Sequence, residues 1–135
     1  MQIATCKNRK QKQYFNQEMN WEEFTKKLLF TTRTKETVEE YKNMTKDQQS
    51  NIKDVGGFVA GELKDGRRNN QSVLSRSMIT LDADFADKDF LDLIRITCDF
   101  CSVIYSTHKH TPEKPKYRWI LPLQRGVSPE EYEAI

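Results

Sequence analysis

Two carboxylates one residue apart close an apolar run, Ile79-Thr80-Leu81-Asp82-Ala83-Asp84. Alternate side chains of a strand share a face, so Asp82 and Asp84 point together while Leu81 and Ala83 face the opposite layer. Two adjacent carboxylates repel each other unless a cation sits between them. Oxygen-only ligands of this kind suit Mg²⁺ or Mn²⁺. If the strand stops at Leu81, the same two acids are turn or cap residues instead. A second pair with the same spacing, Ser106 and His108, follows Val103-Ile104-Tyr105. On a strand parallel to the first, both pairs leave the sheet at its carboxyl edge, where open α/β sheets bind ligands. There His108 can donate to a phosphate. Arg118 lies inside the next apolar run, where an inward guanidinium needs an anion. A triphosphate and a carboxylate such as Glu62 are equal candidates for that partner. Lys109 and Lys116 lie close by in sequence and could join Arg118 on phosphates.

Charge elsewhere is informative only through its distribution. Against 20 acids the chain has 22 Lys and Arg, a net of +2, which selects no partner. Lys7, Arg9, Lys10 and Lys12 crowd the start without an acid, and Lys64, Arg67, Arg68 and Arg76 form a second basic stretch interrupted by Asp65. Either can be solvated surface or can meet phosphates. Arg67, Arg68 and Arg76 are read as contacts to a nucleic-acid backbone on charge alone. Cys98 and Cys101 form a C-x-x-C without a fourth zinc ligand, and the helical period places both on an apolar stripe, as core residues. Three cysteines give no disulfide framework, so a reducing cytoplasm is the expected compartment. No apolar run approaches the roughly 20 residues of a membrane span, and no signal peptide opens the chain.

These residues need elements to hold them. A strand is expected at residues 2–6, then a polar basic loop. Asn20 with Glu23 makes a capping box for a helix over 21–30. Helices over 36–43 and 46–53 follow, opened by Thr34 and Thr45. A strand over 58–63 then turns through Lys64-Asp65-Gly66-Arg67 into a strand over 75–84. Phe90, Leu91, Ile94, Cys98 and Cys101 repeat at three and four, an amphipathic helix. Strands over 103–106 and 117–123 come next, and Ser128-Pro129-Glu130-Glu131 starts a last helix. Strand, helix and strand around 75–106 predict a β-α-β crossover, and flanking hairpins predict a mixed sheet. The chain stops four residues after Glu131, so residues 1–135 read as a single domain, the N-terminal part of a larger one.

The phrase RSMITLDADFAD, followed by IYSTHKHTPEKPKYRWILPL and then VSPEEYEA, resembles the primase-like domain of phage and mobile-element proteins called virulence-associated protein E. These belong to the archaeo-eukaryotic primase superfamily. IKDVGGFVAGEL is similar to their upstream segment. The resemblance implies an α+β core with a twisted sheet related to RNA-recognition folds, which joins nucleotides on a template during DNA replication. It implies Asp82 and Asp84 as ligands of two catalytic Mg²⁺ or Mn²⁺ ions. It implies Ser106 and His108 as the second motif, with His108 on the incoming nucleotide's phosphates. A third carboxylate from a later strand has no counterpart before Ile135. The implied partners are nucleoside triphosphates and a single-stranded DNA template, with a C-terminal helicase domain as a further one in a longer protein. Two other classes compete: a phosphohydrolase with Asp82 as nucleophile and Asp84 as acid, and a non-catalytic nucleic-acid-binding module.

Overall fold

A computed structural model describes all 135 residues. In it β1 (Gln2–Cys6) is the central strand of a small sheet, flanked antiparallel by β2 (Phe15–Glu18) and β3 (Gly57–Val59). Ile3 and Ala4, on opposite faces of β1, are both fully buried, so this strand is covered from two sides. The larger sheet holds β4 (Gly61–Leu63), β5 (Val73–Ala83), β6 (Val103–Ser106) and β7 (Tyr117–Val127), in the order β4-β5-β7-β6. Around them pack α1 (Trp21–Leu28), α2 (Val38–Asn43), α3 (Lys46–Ile52), α4 (Phe90–Thr97) and α5 (Pro129–Glu133). The chain is an α+β fold.

The crossover takes a split form. β5 and β6 each pair antiparallel with β7 and therefore run in the same direction with β7 between them. Every hydrogen-bonded pair is antiparallel, so both sheets are antiparallel and not mixed as expected from sequence, because β7 inserts between the two codirectional strands. One face of the sheet carries Met78 and Ile120, which have no exposed surface and pack with Ile3, Phe24 and Ala60. Burial of each such side chain contributes about 1.5–3 kcal/mol. On the other face lie aromatic stacks, Phe90 on Tyr117 at 5.7 Å and Phe100 on Trp119 at 5.9 Å between ring centres.

The strand expected over 58–63 is two strands in two sheets. Ala60 and Gly61 form the crossing point, where Ser77 N–H donates to Ala60 O at 3.0 Å and Ser77 Oγ to Gln2 O at 2.6 Å. A Cβ on Gly61 would stand 1.8 Å from Ser75 O, and its φ of +156° suits glycine alone. Gly61→Ala is therefore expected to cost about 3 kcal/mol or more, read as a lowered denaturant midpoint. An unchanged midpoint would show that the sheet junction can shift freely.

The expected helix starts and ends were met only in part. Asn20 and Glu23 do close a capping box on α1, and Thr45 caps α3. The cap of α2 is Thr37, paired with Glu40, and not Thr34. α4 ends at Thr97, so Cys98 is half-buried past its end and Cys101 is exposed, off the apolar stripe. No helix is long and apolar enough to cross a membrane.

Candidate nucleotide and metal site

The register of the large sheet builds the site. Asp82 stands opposite Arg118, which stands opposite Tyr105; the next rung is Ala83, Tyr117 and Ser106. Thr107 N–H donating to Lys116 O at 3.0 Å adds one more rung. Cross-strand partners share a face, so Asp82, Arg118 and Tyr105 lie on one side of the sheet. That side is the one packed by Ile120 and Met78. The carboxyl ends of β5 and β6 and the start of β7 thus form one rim, as the crossover requires.

At this rim the two acids are met by two bases. Arg118 donates from Nε to Asp82 Oδ1 at 2.7 Å and from Nη2 to Oδ2 at 3.0 Å, a two-pronged pair. Lys116 Nζ donates to Asp84 Oδ1 at 2.8 Å. Asp82 therefore answers the question of what neutralises Arg118; Glu62, on the far strand β4, does not. Lys116's hydrogen bond holds the Asp84 carboxyl below its ordinary range, helped by its charge and those of Arg118 and Lys109. Asp82's hydrogen bond pushes the Arg118 guanidinium up. Burial pushes the Tyr105 phenol up, opposed by the nearby Arg118.

His108 is in the turn after β6 and bends toward α2. Its Nε2 is 3.3 Å from Thr34 Oγ1 and 3.8 Å from Glu36 Oε1, and its ring packs on Tyr41 at 4.6 Å. Glu36 Oε1 and the Tyr41 hydroxyl are buried without a hydrogen-bond partner. Thr34, Glu36 and Tyr41 had no signal in the local sequence, because their contact with His108 spans some seventy residues. Ser106 does not accompany His108: it shares a rung with Ala83 and Tyr117, on the face opposite the acids. The chain turns after Ser106, which breaks the alternation that would have aligned the two. His110, which faces Tyr117 at 5.0 Å, accepts from Lys116 N–H through Nδ1 and closes the 107–116 loop.

The basic residues separate. Arg67 and Arg68 lie at the turn beyond β4, while Arg76, opposite Gly61 and Val127, lays its guanidinium 5.3 Å over the Tyr132 ring. Arg76 therefore belongs to a different surface from the other two.

As a donor set, Asp82 and Asp84 are half exposed, Asp82 near the end of β5 and Asp84 just past it in the turn and not within the expected strand, and no third His, Cys, Asp or Glu joins them in a cluster. One hydrated Mg²⁺ or Mn²⁺ fits such a pair, since these ions take one or two carboxylates and complete their shell with water and phosphate. A two-ion cage does not fit the carboxylates present. Any ion must also compete with Lys116 and Arg118.

Several carboxylates titrate low. Glu131 is held down to about 2, chiefly by Arg125, and Glu40 is lowered by the Thr37 backbone N–H; Asp84 and Glu36 are lowered too. Folded values below the unfolded ones mean stability that is complete above about pH 4.5 and lost as pH falls toward 2. The melting temperature is expected to fall across that window; a flat profile would show these pairs to be broken in solution.

An α+β domain with a split crossover, whose rim gathers two acids, two cations and a histidine, is the class that fold and site define. The family model for the VapE N-terminal domain matches residues 1–135, and the chain belongs to that family. No curated protein and no solved structure matches it.

Proposed function

We propose that this domain supplies part of the catalytic rim of a template-dependent nucleotidyltransferase of the primase or primase-polymerase kind, acting in the cytoplasm. The observation that carries the reading is the quartet Asp82, Asp84, Lys116 and Arg118, on the same rim as His108. In the resting chain each acid is neutralised by a base, so the rim keeps no uncompensated charge. An incoming triphosphate offers Arg118 and Lys116 new acceptors and frees the carboxylates to hold Mg²⁺ or Mn²⁺. A bound ion would supply Lewis-acid charge to the reacting phosphate. Arg118, with its planar fork, would grip phosphate oxygens in two places; Lys116 and Lys109 would act as point charges. His108, fixed by Thr34 and Tyr41, would donate a further hydrogen bond to the phosphates. Ser106, facing the other way, is assigned no phosphate contact.

The closed ion pairs also favour a second reading, a nucleic-acid-binding module without catalysis. The phosphohydrolase has less support, because both Asp82 oxygens accept from Arg118 and neither is free to attack. Template-directed dinucleotide synthesis on single-stranded DNA with Mn²⁺ tests the choice. Product that vanishes in Asp84→Ala supports nucleotidyl transfer. Absence of product, with nucleic-acid binding intact in the same variant, favours the module; trapping of phosphate on Asp82 would favour the phosphohydrolase.

A further inference from the structure

The two basic segments, fifty residues apart in sequence, are one surface in the fold. The loop after β1 lies against the turn after β4: Tyr14 N–H donates to Gly66 O at 2.7 Å, Arg68 N–H donates to Lys12 O at 3.3 Å, and Gln13 bridges Arg67. The fit is close, since a Cβ on Gly66 would stand 2.1 Å from Tyr14 O. Tyr14 itself is buried with Ala4 and Leu63, and the Arg68 guanidinium lies 5.8 Å from its ring centre. Between the segments is an open cavity of about 720 Å³ with no hydrophobic lining.

Five cations line it, Arg9, Lys10, Lys12, Arg67 and Arg68, against one acid, Asp65. That is five minus one, or +4, in a chain whose total is +2, so the remaining residues sum to −2. None of the five makes a salt bridge, although the rim cations and several surface lysines and arginines do. Five like charges held against a single acid repel, and a fold that keeps them so leaves room for an external anion.

We propose that this cradle binds the phosphate backbone of a single-stranded nucleic acid, as an anchor separate from the rim. Four excess charges along a trough match a chain of spaced phosphates better than one compact anion. The lack of apolar lining gives lipid tails or a peptide's apolar side chains nothing to bury. The cradle lies past the start of β5 and the acids stand at its other end. Nine residue steps of β5, from Val73 to Asp82, separate them, about 30 Å. A strand held here is gripped well away from the quartet, and the inference does not depend on chemistry at the rim.

The test is anisotropy of a labelled oligothymidylate with the whole chain, without divalent ions or nucleotide, over a series of salt concentrations. Each neutralised phosphate contributes about 0.7 to the slope of log affinity against log salt, so five cations give up to about 3.5. Removing two by Arg67→Ala plus Arg68→Ala should lower the slope by about 1.4, as should Lys10→Ala plus Lys12→Ala. These side chains form no ion pair, so circular dichroism should report an unchanged fold. Lys26→Ala plus Arg95→Ala, an equal loss of charge elsewhere, should leave the slope alone. Equal losses from all three double variants would overturn the cradle as a site. Stronger binding to duplex, or to phosphatidylserine vesicles, than to oligothymidylate would overturn the assignment of its ligand. Because no metal or triphosphate is present, a rim without catalytic function cannot mimic either outcome.

Discussion

Asp82→Asn combined with Asp84→Asn is expected to weaken Mn²⁺-dependent triphosphate binding by about 100-fold or more. Removing groups that merely orient a metal ligand already costs 10- to 100-fold in affinity, and here both ligands lose their charge. The fold should survive. Asp82 and Asp84 are about half exposed, with 51% and 60% of their side-chain surface in solvent, and exposed ion pairs contribute only about 1 kcal/mol. Asparagine also keeps an oxygen that can accept from Arg118 or Lys116. Titration calorimetry with Mn²⁺ and a nucleoside triphosphate, beside a denaturation curve, separates the two effects. Unchanged affinity in the double variant would leave the acids as structural partners of the neighbouring cations.

Arg118→Met should move two affinities in opposite directions. The guanidinium holds both Asp82 oxygens, at 2.7 and 3.0 Å, so its loss frees the carboxylate and Mn²⁺ alone should bind more tightly. Triphosphate binding in the presence of Mn²⁺ should nevertheless weaken, by about 10- to 100-fold, because a charge-assisted contact of about 1.5–3 kcal/mol is lost. A purely structural Arg118 would give the first change without the second. Methionine keeps an apolar stem of similar length, which limits any loss of packing.

The contrast between local and non-local information explains what the sequence revealed. Val103–Ser106 is bounded as its β-branched start predicts, and the caps at Asn20, Thr45 and Ser128 are visible because a capping box needs only four consecutive residues. The box at Thr37 and Glu40 carried the same signal and correctly bounds α2, two residues later than expected. β2 was missed because Phe15-Asn16-Gln17-Glu18 is largely polar and has no buried residue, so its strand form comes from pairing with β1 and not from its own pattern. The break at Gly61 was hidden because a lone glycine in an apolar run does not show that two sheets meet there.

The site follows the same division. Asp82 was legible from strand alternation, whereas Asp84 lies one residue past the end of β5 in the turn, and the emergence of both at the carboxyl end of β6 followed from the crossover. The pairing of Asp82 with Arg118 depends on a register 36 residues distant, which no local pattern encodes. Ser106 was placed by extending strand alternation past the point where the chain turns. Joining of the two basic stretches into one cradle likewise needed the contact between the β1 loop and the β4 turn.

Paramagnetic broadening by Mn²⁺ in the presence of a nucleoside triphosphate, followed by NMR across the whole chain, tests most directly whether acids, cations and imidazole act as one grip. Amides of residues 82–84, 107–109 and 116–118 should broaden together, with the β1 loop and the β4 turn untouched. Broadening at scattered surface carboxylates, or at the acids without His108 and Lys116, would contradict a shared nucleotide site at this rim.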